Sequence, residues 1–128
     1  MALDEAVASY ERAIVQNPED AEAHFNLGHL YLLMGRLREG WKEFGWRRQV
    51  AEFNHAQRPY AQPLWDGGNP DGKTLFFYPE QGLGDLFQFV RYLPLVAAEG
   101  GRILLETPTQ MARLLQGFDS AHTLIPSG

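Results

Sequence analysis

The residues best suited to chemistry lie in the stretch FFYPEQGLGDLFQFVRYLP, from Phe76 to Pro94. An apolar, strand-like run breaks at a loop that contains two glycines and two carboxylates, and then resumes with helical spacing. A loop of this kind presents backbone amides at the carboxyl edge of a parallel sheet, where such sheets bind ligands. It is therefore a candidate ligand-binding loop. One alternative is that it holds a phosphate or another anion without catalysis. Another is that Asp85 only caps the helix after the loop.

Two nucleotide-binding patterns fit this region poorly. Gly82 and Gly84 begin a dinucleotide fingerprint, but its third glycine would stand at Phe87, and the only acid at the end of the next strand is Glu106. The residues GGNPDGKT, at 67–74, match the letter pattern of a P-loop. Their context is reversed, because a P-loop follows a strand and these residues precede one. We interpret this second stretch as a turn leading into the strand.

Composition limits the class of protein. The 128 residues are 45% hydrophobic and 12% aromatic, which is enough apolar surface for a packed core. The net charge of −5, with scattered bases, argues against nucleic acid as a partner. The absence of cysteine, of a signal-peptide pattern and of a run of about 20 apolar residues predicts a cytoplasmic protein without a membrane span. The four histidines show no metal-ligand spacing.

The first half of the chain repeats at an offset of 34 residues. The aligned pairs are Ala6 with Gly40, Tyr10 with Phe44, and Ala13 with Arg47. The apolar periodicity predicts helices at about 3–16, 21–34 and 37–52. A helical hairpin preceded by one helix of an earlier unit is expected in this part of the chain.

This pattern resembles a tetratricopeptide repeat. The matching residues are Leu27, Gly28, Tyr31, Gly35 and Phe44 in the complete unit, and Ala6, Tyr10, Ala13 and Pro18 in the partial one. The resemblance implies that the repeat helices bind a protein partner. Two departures, His24 for a tryptophan and Arg47 for a small residue, predict that the array ends here. The chain contains about one and a half units, fewer than the roughly three that stacking requires. We therefore expect either a fragment of a longer protein or helices that pack against the C-terminal half of the chain.

After a linker at 54–72, rich in proline and glycine, the periodicity changes. Strands are predicted at 74–78, 102–106 and 122–125, with helices at 85–99 and 108–116. Strand–helix–strand–helix–strand is half of a Rossmann-like unit with a three-stranded parallel sheet. The predicted fold class is α + α/β, with tetratricopeptide-like helices (1–53) packed on a partial Rossmann-like domain (73–128).

A second resemblance spans Trp65 to Leu95 and continues weakly to Pro126. This segment looks like the junction between tetratricopeptide repeats and a glycosyltransferase-like domain in certain bacterial proteins. The step Leu83-Gly84-Asp85 is similar to the first loop of heptosyltransferase-type enzymes, which have two Rossmann domains. The resemblance implies that Asp85 is a general base toward an acceptor hydroxyl. The acceptor-binding groups that it implies are Glu80, Gln81, Gly82, Leu83 and Gly84.

The same resemblance implies a nucleotide sugar for the longer protein and no cofactor in this chain, which would be inactive alone because the second Rossmann domain is missing. The competing hypothesis is a non-catalytic protein-interaction module with a structural Rossmann-like support. The aromatic residues Trp41, Phe44, Trp46 and Phe53 could form a peptide groove, although their helical spacing favours core packing against the linker. Open edges of the predicted sheet also predict pairing into a homodimer.

Overall fold

The computed structural model describes residues 2–56, 60–80, 82–115 and 122–127. The chain divides into two compact units, Met1–Arg58 and Pro59–Gly128, so that the division falls within the predicted linker. The first unit is helical and the second contains a parallel sheet with helices, which confirms the α + α/β class. No helix in the described part of the chain is long and apolar enough to cross a membrane.

The first unit contains three α-helices: α1 at Ala2–Gln16, α2 at Ala21–Leu33 and α3 at Leu37–Phe44. The start of α2 is set by Asp20, whose Oδ1 accepts a hydrogen bond from the backbone N of Ala23 at 3.0 Å. Its end is set by Gly35, which adopts φ 76°, a left-handed conformation that favours glycine. Local signals of this kind explain why the predicted bounds of α1 and α2 agree closely with the structure.

Packing within the first unit depends on small residues between helices. Val7 of α1 lies against Leu27 and Tyr31 of α2, and these three side chains form the buried core. On the other side of α2, a Cβ added to Gly28 would lie 2.5 Å from the backbone N of Phe44. Since that separation is too short for a real Cβ contact, glycine at 28 is what allows α2 and α3 to approach closely.

The third helix is shorter than the predicted 37–52. It ends at Phe44 and continues as two 3₁₀ segments, Gly45–Gln49 and Ala51–Ala56. Glycine at 45 is a poor helix former. The change of path also stacks the ring of Trp46 on His24, with centroids 4.1 Å apart, and this tertiary contact outweighs the helical periodicity.

The second unit is built on three parallel strands in the order β1-β2-β3. They span Thr74–Phe77, Arg102–Pro108 and His122–Ser127. The register pairs Leu75 with Ile103, and Leu105 with Leu124. The helices between the strands are α4 at Leu83–Phe89, α5 at Leu93–Ala98 and α6 at Thr109–Leu115. The predicted β-α-β-α-β order is therefore present.

The core of the second unit lies between the sheet and its helices. Its buried members are Leu75, Ile103 and Leu105 from the strands, and Leu86, Val90, Leu93, Met111 and Leu115 from the helical segments. Alternate residues of β2 are the most buried of these, as expected of a central strand. This core fixes where β1 ends and therefore where the glycine loop begins.

The predicted helix 85–99 is interrupted. A 3₁₀ turn at Val90–Tyr92 separates α4 from α5. The cause is Pro94, which lacks the backbone N–H that a continuous helix would bond to Val90 and whose ring would clash with that carbonyl. In the structure Pro94 lies in the first turn of α5, a position where its missing donor costs nothing.

Candidate functional site

The glycine loop joins the carboxyl end of β1 to the start of α4. Gly82 is the N-cap of α4, with φ −60° and ψ 166°, and no side chain among the described residues caps this helix end. Of the predicted acceptor-binding groups, Leu83 and Gly84 form the first residues of α4, and Glu80 is half-buried in the loop before it. Gln81 lies outside the described residues.

Asp85 is the third residue of α4 and its side chain is exposed. Its backbone N donates to the carbonyl oxygen of Gly82 at 3.2 Å, and its carboxylate makes no hydrogen bond with any residue that the structure describes. The alternative that Asp85 is the N-cap of the helix is therefore wrong, since Gly82 occupies that position. The carboxylate is open to solvent at the positive end of a short helix.

The two loop glycines are not required by the fold. A Cβ added at Gly82 or Gly84 would meet no atom within 4 Å, and neither residue has a positive φ. Their lack of a side chain instead leaves the backbone of the loop accessible from outside. Close approach of a ligand to the backbone is one use of glycine in such a place.

A groove of about 760 Å³ runs along α4 and α6. Its lining is mostly apolar, with Arg91 and Gln88 as the polar members, and it includes Leu83 and Gly84 of the predicted site. Asp85 and Glu80 are not among its lining residues. The structure thus brings two of the predicted loop residues to a cleft and leaves the proposed general base outside it.

Glu106, near the carboxyl end of β2, is a buried acid that was not predicted as a site residue. Glu106 is only 5% exposed and comes directly after Leu105, which pairs with Phe77 at the end of β1. The neighbouring Thr107 is fully buried, and its hydroxyl donates to the carbonyl oxygen of Leu105 at 3.4 Å. The signal in the sequence is an acid directly after the apolar run Ile103-Leu104-Leu105, which is unusual in a buried position because buried carboxylates need compensation.

The stretch at 67–74 that matches the P-loop pattern is a turn, as we interpreted it. Gly67 and Gly72 have φ values of 84° and 68°, and the backbone N of Lys73 donates to the carbonyl oxygen of Pro70 at 2.9 Å. The segment leads directly into β1. Its amides do not lie at the start of a helix, so the phosphate-binding geometry of a P-loop is missing.

A polar pair joins α2 to α3 in the first unit. Nδ1 of His24 lies 2.5 Å from Oε2 of Glu43, and Nε2 lies 3.0 Å from the carbonyl oxygen of Pro18. Because a carbonyl can only accept, Nε2 carries a proton and donates it. His24 is 9% exposed and is stacked on Trp46, so the pair is largely shielded from water.

An aromatic cluster lies on the side of α2 and α3 away from α1. The ring of Phe44 contacts Phe25, His29 and Trp41, with centroid distances of 5.3, 5.0 and 5.6 Å. Phe53 of the second 3₁₀ segment contacts Phe25 at 5.1 Å. Phe44, Trp46 and Phe53 are half-buried, whereas Trp41 is 51% exposed. Packing of these rings against the linker stays a prediction.

Among the described residues, no group of three or more histidine, aspartate or glutamate side chains is placed to hold a metal ion.

Comparison with known proteins finds a family match in the N-terminal part of the chain. Residues 2–35 match the family model TPR_11, a TPR repeat. Over 120 residues the chain is 32% identical to Protein FlbA of Caulobacter vibrioides, and this match covers 89% of the chain and 20% of FlbA. The chain thus spans about one fifth of the length of this relative. No solved structure matches the chain significantly. The N-terminal helices therefore contain a tetratricopeptide repeat, as their periodicity predicted.

Proposed function

We propose that the chain is a protein-interaction module whose helical unit, α1 to α3, binds a segment of another protein. The observation that carries this proposal is the tetratricopeptide match over residues 2–35. It is supported by the close approach of α2 and α3 at Gly28, which is the packing that such repeats use. Repeats of this type expose extended surfaces that receive partners. The parallel α/β unit would then act as structural support.

The physical reason is that a repeat cannot bury all of its apolar surface alone. Leu33 is 71% exposed, Leu37 is 58% exposed, and both lie near the turn between α2 and α3. Exposed apolar side chains that cluster in this way mark interaction surfaces more often than isolated ones do.

The test is selection of binders from an unrestricted random peptide library displayed on phage. We expect selected peptides to bind the wild-type chain and the variant Gly45→Leu, because a side chain at 45 would meet no atom within 4 Å. They should not bind Gly28→Leu, in which the side chain would be driven into the backbone of Phe44 and the hairpin would open. Failure to select any peptide, or equal binding to Gly28→Leu, would overturn the proposal.

A second candidate function is the acceptor side of a sugar-transfer site in a longer glycosyltransferase-type protein. It is supported by the exposed carboxylate of Asp85, which is not used as a helix cap, and by glycines at 82 and 84 that the fold does not need. In this candidate Asp85 accepts the proton of an acceptor hydroxyl while loop residues 80–84 contact the acceptor. A nucleotide sugar would be held by another domain of that longer protein.

Its test is transfer or hydrolysis of a panel of nucleotide sugars by the longest natural form of the protein, with Asp85→Ala beside it. Activity that disappears in the variant, while the thermal unfolding midpoint is unchanged, would support the acceptor site. Absence of activity with every nucleotide sugar would leave the interaction module as the sole function proposed.

Pairing into a homodimer is a further part of the proposal. In the described part of the chain, β1 and β3 each pair with β2 alone, so each has one side without a partner strand. Such edges favour pairing with another chain. Sedimentation analysis should show a dimer that dissociates when Lys or Pro is placed on an outer edge, and a monomer at high concentration would contradict it.

A further inference from the structure

One surface of the helical unit is apolar, exposed and formed by both helices of the hairpin. We call it the hairpin flank and define it as His29 and Leu33 on α2 and Leu37 and Trp41 on α3. The members on each helix are four residues apart and therefore lie on one side of that helix. Phe44 contacts the rings of both His29 and Trp41, which places the two stripes side by side.

The hairpin flank is the more exposed part of a longer aromatic face. At one end of that face, Phe53 of the 3₁₀ segment Ala51–Ala56 covers Phe25. At the other end, toward the turn between α2 and α3, Leu33, Leu37 and Trp41 are each more than half exposed. The exposure of these three side chains provides apolar surface on which a further helix could pack.

The chain segment that contains the α3 part of the hairpin flank is positively charged, although the chain as a whole carries −5. Residues 36–48 contain five basic and two acidic side chains, a net charge of +3. Glu39 forms an ion pair with Arg36, and Glu43 contacts the imidazole of His24. The exposed Arg38 lies three residues before Trp41 and four before Lys42, so these two cations border the apolar stripe of α3.

We propose that the hairpin flank binds an acidic amphipathic helix of a partner protein. The apolar face of that helix would cover Leu33, Leu37 and Trp41, and its carboxylates would lie against Arg38 and Lys42. Helix-in-groove recognition reads apolar anchors at spacings of three and four residues, and complementary charge steers association. This inference rests on the proposed interaction function and names the surface and the chemistry of the partner.

The probe is a pair of phage-displayed libraries of helical peptides that are identical in their randomised apolar positions. The remaining positions are Glu-rich in one library and Lys-rich in the other. We expect enrichment from the acidic library alone. Selected peptides should bind Leu37→Glu about tenfold more weakly than wild type, because an anchor contact is lost and a like charge is added. They should bind Arg38→Glu/Lys42→Glu more weakly too, with the larger loss at low salt.

The matched control is Val15→Glu, which places the same new charge on the 81% exposed Val15 of α1. Binding that is lost in Val15→Glu and kept in Leu37→Glu would overturn the proposal, as would equal enrichment from both libraries. A dimer that Leu37→Glu converts to a monomer would also overturn it, since a second copy would then occupy the surface.

The two proposals fail differently. If the unrestricted library yields hairpin-dependent binders but the acidic helical library does not, the inference about the hairpin flank is wrong and the interaction module stands. If neither library yields binders, both are wrong.

Discussion

The imidazole of His24 joins Glu43 of α3 to the carbonyl oxygen of Pro18, at 2.5 and 3.0 Å. One side chain therefore ties together the loop before α2, α2 itself and α3. Trp46 stacks on this imidazole, with ring centroids 4.1 Å apart and 6° between the ring planes. The two helices of the hairpin are thus joined by a polar contact as well as by ring stacking.

We expect the His24–Glu43 pair to show strong coupling in a double-mutant cycle. His24→Phe or Glu43→Leu alone should cost about 1–3 kcal/mol of unfolding free energy, because each leaves a shielded polar group without its partner. The double variant should cost less than the sum of the two, with a coupling energy of about 0.5–3 kcal/mol. Urea denaturation of the four proteins measures this directly. Additive losses would show that the pair contributes nothing beyond its separate side chains.

Alanine at two glycines of the first unit should have opposite effects. Gly28→Ala places a Cβ 2.5 Å from the backbone N of Phe44, and we expect a loss of about 1–3 kcal/mol. Gly45→Ala places a Cβ in open space, and its φ of −57° suits any residue, so stability should be unchanged or slightly higher. Thermal unfolding of both variants compares them. Equal losses would mean that α2 and α3 do not approach as closely as described.

Alkaline pH should destabilise the first unit through Tyr31. Burial, followed by the hydrogen bond from Tyr31 Oη to Glu11 Oε1 at 2.7 Å, raises the pKa of this phenol above its ordinary value of 10.0. The folded state therefore favours the protonated form. Its contribution is fully present below about pH 10 and is lost as the pH rises through the raised pKa.

The measurement for Tyr31 is the unfolding free energy at a series of alkaline pH values, for wild type and Tyr31→Phe. At neutral pH the variant should be less stable by about 1 kcal/mol, since it loses a hydrogen bond to a carboxylate. Above about pH 10 the difference should shrink, because the wild type alone loses the contribution of the neutral phenol. A difference that stays constant with pH would contradict the described environment of Tyr31.

Two aspartates near helix starts should differ in their effect on stability. Asp20 accepts from the backbone N of Ala23, so Asp20→Ala should cost about 1 kcal/mol. Asp85 is exposed and caps nothing, so Asp85→Ala should change the unfolding free energy by less than about 0.5 kcal/mol. If Asp85→Ala costs as much as Asp20→Ala, the carboxylate has a structural role that the described contacts lack.

The sequence by itself determined the elements whose signals are local. The 34-residue offset predicted a helical hairpin of the tetratricopeptide type. The structure has helices at Ala21–Leu33 and Leu37–Phe44, and the family match covers residues 2–35, which include α1 and α2. Short apolar runs separated by helical periods predicted three parallel strands, and these are present at Thr74–Phe77, Arg102–Pro108 and His122–Ser127. Apart from the repeat offset, which compares two copies of one local pattern, such signals act within about one helical turn or along one strand, so a pattern is sufficient to identify them.

Only the tertiary structure decided what depends on contacts between distant residues. The end of α3 at Phe44 goes together with the stacking of Trp46 on His24, and although Gly45 is a local signal, no pattern within 37–52 contains that contact. At the glycine loop, the periodicity predicted the start of a helix. In the structure Gly82 is the N-cap of that helix, and the side chain of Asp85 is exposed to solvent. Burial of Glu106 and exposure of the hairpin flank likewise depend on which surfaces meet. Packing between segments far apart in the chain is therefore what turns predicted elements into candidate sites.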